Sequence, residues 1–417
     1  MNYKAPRGTH DIFGINASGM SLLEQKAKVI FKRHGFEEVR IPAFEDAALF
    51  MRSIGQTTDI VEKEMYIFED RKKRKLALRP EGTASLVRAF IEHRMNVSMP
   101  TGKFFYMGEM FRYERPQAGR YRQFHQIGAE FFGSSSPAAD AEIIVLAQDL
   151  LSSVGINEMN VYINSLGCEK CRPLFREALV KYLGSVRDLC EDCLRRLEKN
   201  PLRVLDCKTD SNKFVKVPRI PDYLCDCCKG NFNLTQSLLK SVGCNYTVDE
   251  RLVRGLDYYT KTVFEIRLDA VGSQDALAAG GRYDNLVGEL GGQDTPAIGF
   301  ALGSERVLLA AQKAGFFSSF QESEKIFIAV ADQELFSEAF SFAIKAMRNG
   351  LKGNKNISVF GPVNGKNLTN QLKFADKIKA VKAIVFARTE FEDGKFLVKN
   401  MKDKTQTKVL ISEFSEF

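Results

Sequence analysis

The run FRYERPQAGRYRQFHQIGAE, residues 111–130, constrains this chain more than any other stretch. It alternates with period two on either side of a loop holding Pro116 and Gly119, which predicts two strands. Successive strand side chains point to opposite faces, so Arg112 and Glu114 share one face of the first strand. On the second strand Arg122, Phe124, Gln126, Gly128 and Glu130 share a face. If the two faces coincide, one surface carries arginines, an aromatic ring and carboxylates. That load suits a platform for an anionic, planar, amine-bearing ligand better than a strand that only packs.

The rest of the chain gives this hairpin a large setting. Its 417 residues allow two or three domains, each with its own core. Apolar spacing predicts helices over 18–34, 83–94, 137–154 and 304–313, and strands over 36–42, 263–268 and 297–302. A linker is expected over 315–324. Beyond it, β-like runs at 326–331, 357–360 and 383–387 alternate with helical segments at 336–350 and 368–378, which predicts a small α/β domain with a partly parallel sheet. From Lys325 to Phe417 there are 16 Lys and Arg against 10 Asp and Glu, a balance of +6. A phosphate-backbone partner and a solvated lysine-rich surface both account for that charge. No apolar run approaches the roughly 20 residues of a membrane helix, and the N-terminus lacks the apolar core of a signal peptide, so a cytoplasmic protein without membrane contact is expected.

All nine cysteines lie between Cys168 and Cys244. Their odd number argues against a disulfide framework. Cys168-x-x-Cys171 and Cys190-x-x-Cys193 stand 18 residues apart, a zinc-ribbon spacing; Cys225 and Cys228 form a third pair and Cys207 stands alone. Two-residue gaps let paired thiolates reach one ion, whereas free cysteine is also a common core residue. The region from about 165 to 246, helical and charged, reads as an insertion.

Four further segments concentrate polar and glycine residues. RPEGT, 79–83, is an ordinary helix cap or a carboxylate and hydroxyl facing a ligand. RGLDYY, 254–259, is a polar pocket wall or a buried turn. AGGRYD, 279–284, reads as a glycine turn that lets backbone approach a ligand. In GFALGSERVLL, 299–309, Arg306 sits in the first turn of a helix, where it opposes the dipole and a bound polyphosphate would explain it. There is no GxxxxGK[ST], GxGxxG, HExxH or GxSxG, so P-loop, Rossmann, His-metal and serine-triad chemistry have little support. ATP beside an amino acid fits the hairpin's load.

Together these segments resemble the class II aminoacyl-tRNA synthetases, and within them the histidyl-tRNA synthetases of bacterial type. The hairpin looks like class motif 2, GFALGSERVLL like motif 3 and GFEEVRIPAFE like motif 1; RGLDYY and AGGRYD look like the histidine signature boxes and RPEGT like the amino-acid loop. The resemblance implies an α/β (α+β) fold with an antiparallel catalytic core in two parts, 1–164 and 247–322. It also implies a Cys-rich, mainly helical insertion at 165–246 and an anticodon-binding α/β domain at 323–417. The implied reaction joins histidine to tRNA(His) with ATP and Mg2+ in a homodimer.

Family roles carry over by position. Arg112, Arg254 and Arg306 are the expected catalytic cations, with Arg112, Glu114, Phe124 and Arg306 on ATP. Glu81, Gly82, Thr83, Gln126, Glu130, Tyr258, Tyr259 and Tyr283 are expected on histidine, and Arg115 and Gln117 on the 5′ guanosine of the tRNA. A non-catalytic relative, the synthetase-like regulatory subunit of ATP phosphoribosyltransferase, shares the core fold; as a family it lacks the anticodon domain and erodes the catalytic positions retained here. The cysteines depart from many relatives, leaving the metal state of Cys168, Cys171, Cys190, Cys193, Cys207, Cys225 and Cys228 open; zinc is one outcome.

Overall fold

In the computed structural model, which describes residues 3–55, 58, 60–268, 276–316, 323–349, 357–363 and 366–413, the chain divides into two compact units, Met1–Ser318 and Ser319–Phe417. The linker expected at 315–324 lies mostly outside the described residues. Strands of the first unit are β1 (Glu37–Glu38), β2 (Phe44–Asp46), β3 (Ile67–Glu69), β4 (Lys75–Leu78), β5 (Gly102–Phe111), β6 (Gln123–Phe132), β7 (Asn160–Ser165), β8 (Tyr246–Val248), β9 (Thr260–Arg267), β10 (Ala276–Arg282) and β11 (Ala297–Gly303). Eight of them form one sheet in the order β1-β5-β6-β11-β10-β9-β7-β8, and β2-β4-β3 form a smaller one. Pairing is antiparallel from β5 through β7, with parallel β1 and β8 at the edges.

Alternation sorts this sheet into two faces. Phe105, Ile127, Ala129, Phe131, Phe264, Ile298 and Phe300 join a core with helices Ile15–Arg33, Pro137–Ser152 and Ser304–Lys313. These helices bring Leu23, Ala27 and Phe31, Ile144 and Leu151, and Val307 and Ala311 to it, each set at helical spacing. Residues of opposite parity, Phe104, Tyr106 and Phe132 among them, face the other way, toward the cysteine-bearing segment. That segment carries helices Arg172–Leu183, Glu191–Lys199 and Asp226–Ser241.

Three expectations change here. The strand read at 36–42 shrinks to Glu37–Glu38, because the Ile41 and Pro42 carbonyls accept Nη1 of buried Arg79 at 2.6 and 3.2 Å. The first hairpin strand stops at Phe111, so Arg112 and Glu114 lie in the loop beyond it. Gly280 and Gly281 sit inside β10 and form no turn. A Cβ on Gly280 would meet the Gly299 carbonyl oxygen at 2.1 Å, and one on Gly281 the Thr262 oxygen at 2.7 Å, so close strand packing explains both.

The second unit holds β12 (Glu324–Val330), β13 (Ile357–Phe360), β14 (Lys382–Phe386), β15 (Lys395–Asn400) and β16 (Gln406–Leu410), ordered β13-β12-β14-β15-β16. The first three are parallel and the last two antiparallel. Ile326, Ile328 and Val330 pack toward helix Phe336–Asn349, and Phe327 and Ala329 toward helix Leu368–Lys377, so β12 is buried on both faces. Among the described residues, no helix of either unit is long and apolar enough to cross a membrane.

Candidate active site

The β5–β6 register settles the face question. Gly108 opposes Gln126, Tyr106 opposes Gly128 and Phe104 opposes Glu130, so the even-numbered residues of both strands share one face. Arg112 continues it beyond the strand end, where its N–H donates to the Arg122 carbonyl at 2.9 Å. Across the sheet, Gln126 opposes Gly303 and Glu130 opposes Gly299 on β11. Small residues make the floor of the resulting pocket. A Cβ on Gly299 would lie 1.6 Å from Glu130 Oε2, and one on Gly128 would lie 2.3 Å from the Tyr106 ring.

One end of the pocket is acidic and buried. Glu81 closes the segment that Arg79 pins to β5 through Nε and the Glu109 carbonyl at 2.7 Å. Its carboxylate accepts the Thr83 and Ala84 N–H groups at 2.6 and 2.9 Å, capping helix Thr83–Glu92 from the pocket side. Cap and pocket wall are thus the same group. Thr83 Oγ1 donates to Glu130 Oε1 at 2.7 Å, and Tyr283 donates to Glu130 Oε2 at 2.6 Å. Burial pushes the Glu130 carboxyl up to about 8 against the pull of those two bonds, with Glu81 adding to the rise. Burial raises Glu81 as well, outweighing the backbone N–H groups that cap it. Among the described residues nothing pairs with buried Gln126 Oε1. An acceptor and two carboxylates held together call for a donor-rich cation.

The other end is cationic. Arg112 donates from Nε to the Pro80 carbonyl at 2.8 Å and lies 5.4 Å from the centre of the Phe124 ring. Arg306 donates from Nε to the Gly119 carbonyl at 3.0 Å. Burial, then the nearby charges of Arg120 and Arg112, hold Arg306 below the ordinary arginine value. Like charges gathered this way are relieved by a polyanion. Helix Ser304–Lys313 is fixed to β6 through Glu305, which accepts the His125 N–H at 3.0 Å and stands 2.8 Å from its Nδ1. Arg254 is paired through Nη1 with Glu265, whose other oxygen accepts Arg267 Nε at 2.7 Å. Burial pulls Arg254 down, but Glu265 leads a set of neighbours that leave it raised.

Most residues expected from sequence therefore line one pocket: Glu81, Thr83, Arg112, Glu114, Phe124, Gln126, Glu130, Arg254, Tyr258, Tyr259, Tyr283 and Arg306. Gly82 is not on its wall; it stands at the helix N-cap, where a Cβ would be 2.2 Å from the Tyr106 ring. Arg115 and Gln117 are exposed on the 112–122 loop, outside the pocket. Sequence reasoning missed Tyr106, Arg120, Glu265 and Glu305, which also line it. Tyr106 shares parity with Arg112, and Glu265 is the acid set among the apolar residues of β9, signals that a longer reading of each strand contained.

The cysteines regroup. Cys168 and Cys171 meet Cys225 and Cys228, while Cys190 and Cys193 meet Cys207 and Asp210. Spacing along the chain links the first pair with the second; the fold brings the first helix start against the third pair instead.

A family model described as histidyl-tRNA synthetase matches residues 8–181 and 210–307. The chain is 92% identical over 414 residues to a histidine–tRNA ligase of Endomicrobium trichonymphae, covering 99% of this chain and 100% of that one. It is 44% identical to one from Halothermothrix orenii, covering 100% of this chain and 99% of the relative. The apo histidyl-tRNA synthetase of S. aureus superposes with a TM-score of 0.81 at 33% identity, covering 99% and 98% of the two chains.

Proposed function

The chain belongs to the histidyl-tRNA synthetase family, and from that premise we propose how its pocket makes histidyl-tRNA(His) from ATP, L-histidine and tRNA(His). A histidine carboxylate oxygen attacks the α-phosphorus of ATP and diphosphate leaves, giving histidyl-adenylate. The terminal ribose hydroxyl of the tRNA then attacks the histidyl carbonyl and AMP leaves. Charge develops on phosphoryl oxygens in the first step, so positioning and cations provide most of the rate.

Arg112 and Arg254 hold the α-phosphate, Phe124 stacks under adenine, and Arg306 covers the other adenine face and reaches the γ-phosphate; Glu114 borders the nucleotide. Glu81, Thr83 and Gln126 take the α-amino group. Glu130 with Tyr258 and Tyr259 reads the imidazole nitrogens, Tyr283 orients Glu130, and Gly82 leaves room for Tyr106. Arg115 and Gln117 meet the first guanosine of the tRNA. The observation that carries this reading is the division of one pocket between two buried carboxyl groups, Glu81 and Glu130, and a set of arginines that includes Arg112, Arg120 and Arg306.

Among the described residues the pocket offers no cluster of three metal donors, so Mg2+ fits as an ion carried on the phosphates of ATP. There it would neutralise phosphate charge. Within the same reading, the chain works as a cytoplasmic homodimer, segment 165–246 is an insertion stabilised by a structural metal, and 323–417 binds the anticodon. Exchange of labelled diphosphate into ATP, run with each amino acid in turn, tests the function. ATP formation that depends on histidine alone is expected; label incorporated without histidine dependence, or none at all, sinks it.

A further inference from the structure

Each of the two cysteine groupings brings four donor atoms within 4.8 Å of one another. Thiolates about 2.3 Å from a tetrahedral zinc are about 3.8 Å apart, the edge of that tetrahedron. Cys168 Sγ lies 3.7 Å from Cys171 Sγ and 3.9 Å from Cys225 Sγ, and Cys190 Sγ lies 3.7 Å from Cys207 Sγ. None of the nine cysteines is in a disulfide. Backbone donors already face the sulfurs, as they do around bound thiolates: Cys225 N–H reaches Cys171 Sγ at 3.1 Å and Asp210 N–H reaches Cys207 Sγ at 3.4 Å. Cys227 and Cys244 belong to neither group.

We infer that the chain holds two structural zinc ions, one on Cys168, Cys171, Cys225 and Cys228 and one on Cys190, Cys193, Cys207 and Asp210, and that the second clamps the loop behind the Arg254–Asp257 wall. This rests on the structural-metal reading above and divides it into two sites with different tasks. The first joins the starts of helices Arg172–Leu183 and Asp226–Ser241, at the two ends of the insertion. The second takes ligands from both sides of the stretch 194–206, which is the rest of helix Glu191–Lys199 and the 3-10 turns of Pro201–Asp206, and so joins the two ends of that stretch into a closed loop of chain. That loop reaches the pocket wall. Asn200 Nδ2 donates to Asp257 Oδ1 at 2.7 Å, Asp206 is among the carboxylates acting on Arg254, and Arg203 Nη2 is 3.9 Å from a Cβ position on Gly255. Three of the second site's four ligands lie in 182–209, between the two blocks that the family model matches.

Elemental analysis of the full chain, purified without metal-affinity resin, tests the count. Two zinc per chain are expected, falling to one in Cys228→Ser and to one in Cys207→Ser. One zinc in the unmodified protein overturns the two-ion inference while leaving a single structural metal in place; none overturns both, and neither result depends on the exchange assay. The clamp has its own readout. Cys207→Ser should speed amide hydrogen exchange across 194–206 and lower histidine-dependent diphosphate exchange tenfold or more, whereas Cys228→Ser should leave amide exchange in that loop unchanged. Equal protection of 194–206 in Cys207→Ser and the unmodified chain refutes the clamp.

Discussion

With its oxygens taken by Thr83 and Tyr283, and buried to 1% exposure, Glu130 keeps a proton up to a pH of about 8. A carboxylate that accepts an imidazole N–H has to lose that proton first. On the proposed role of Glu130 toward the imidazole the sign follows: above pH 8 the free enzyme would be ready, and below it each bound histidine would carry the cost of ionising Glu130. Histidine KM should therefore fall as pH rises from 7 to 9, by at most about tenfold per unit, in a window above the free imidazole's titration near 6.5. Glu130→Gln should raise KM about tenfold or more at pH 9 and flatten the profile, measured by diphosphate exchange. A mutant that keeps the wild-type slope assigns the titration elsewhere. Arg254 makes a different case, since its charge is held in place by Glu265. Arg254→Ala should cut exchange by roughly 10²–10³, the loss typical of one preorganised transition-state donor, and leave tRNA binding nearly intact. Arg254→Lys should recover little, because a point charge cannot fork between Glu265 and a phosphate.

The β5–β6 hairpin shows what an element discloses before it is seen. Period-two alternation puts Phe124, Gln126 and Glu130 on one face, and the observed register keeps them there with Tyr106 and Gly108. Alternation carries no mark of where pairing stops, so Arg112 and Glu114 read as strand although they stand past Phe111. The same limit affects β10: two glycines in a row signal a turn, and only the neighbouring strands' carbonyls reveal them as close packing. Past Phe111 the loop is held to the rest of the unit by Tyr113 N–H to the Glu64 carbonyl at 2.7 Å, Arg122 N–H to the Gly8 carbonyl at 2.7 Å and Arg306 Nε to the Gly119 carbonyl at 3.0 Å, among others. Its exposed tip carries Arg115 and Gln117 away from the pocket, so their removal should separate the two half-reactions. The Arg115→Ala, Gln117→Ala pair should lower charging of tRNA(His) about tenfold or more with histidine-dependent exchange unchanged. Equal loss in both assays would show that the loop supports the pocket itself.

At the scale of the molecule, strand–helix alternation discloses the three parallel strands of the second unit, since a parallel pair needs a crossover and a crossover leaves a long helical signature. The antiparallel pair β15 and β16 needs no such segment and leaves no such trace. Cysteine grouping is opaque for a related reason: two-residue gaps fix local pairs, but which pairs meet is decided by where helix starts land, and Asp210 matches no cysteine motif. The charge of the second unit is legible because it is a sum over residues and needs no geometry. Lys373, Lys377 and Lys379 lie on or just beyond helix Leu368–Lys377 and are exposed. If that surface meets a phosphate backbone, reversing all three to Glu should lower affinity for tRNA(His) and reduce the slope of log affinity against log salt by about 0.7–0.9 for each phosphate no longer neutralised. Diphosphate exchange should stay within about twofold, because the carboxylates and arginines of the pocket belong to the first unit. An unchanged salt slope in the triple variant would make these lysines a solvated surface and move the backbone-binding face elsewhere on the unit.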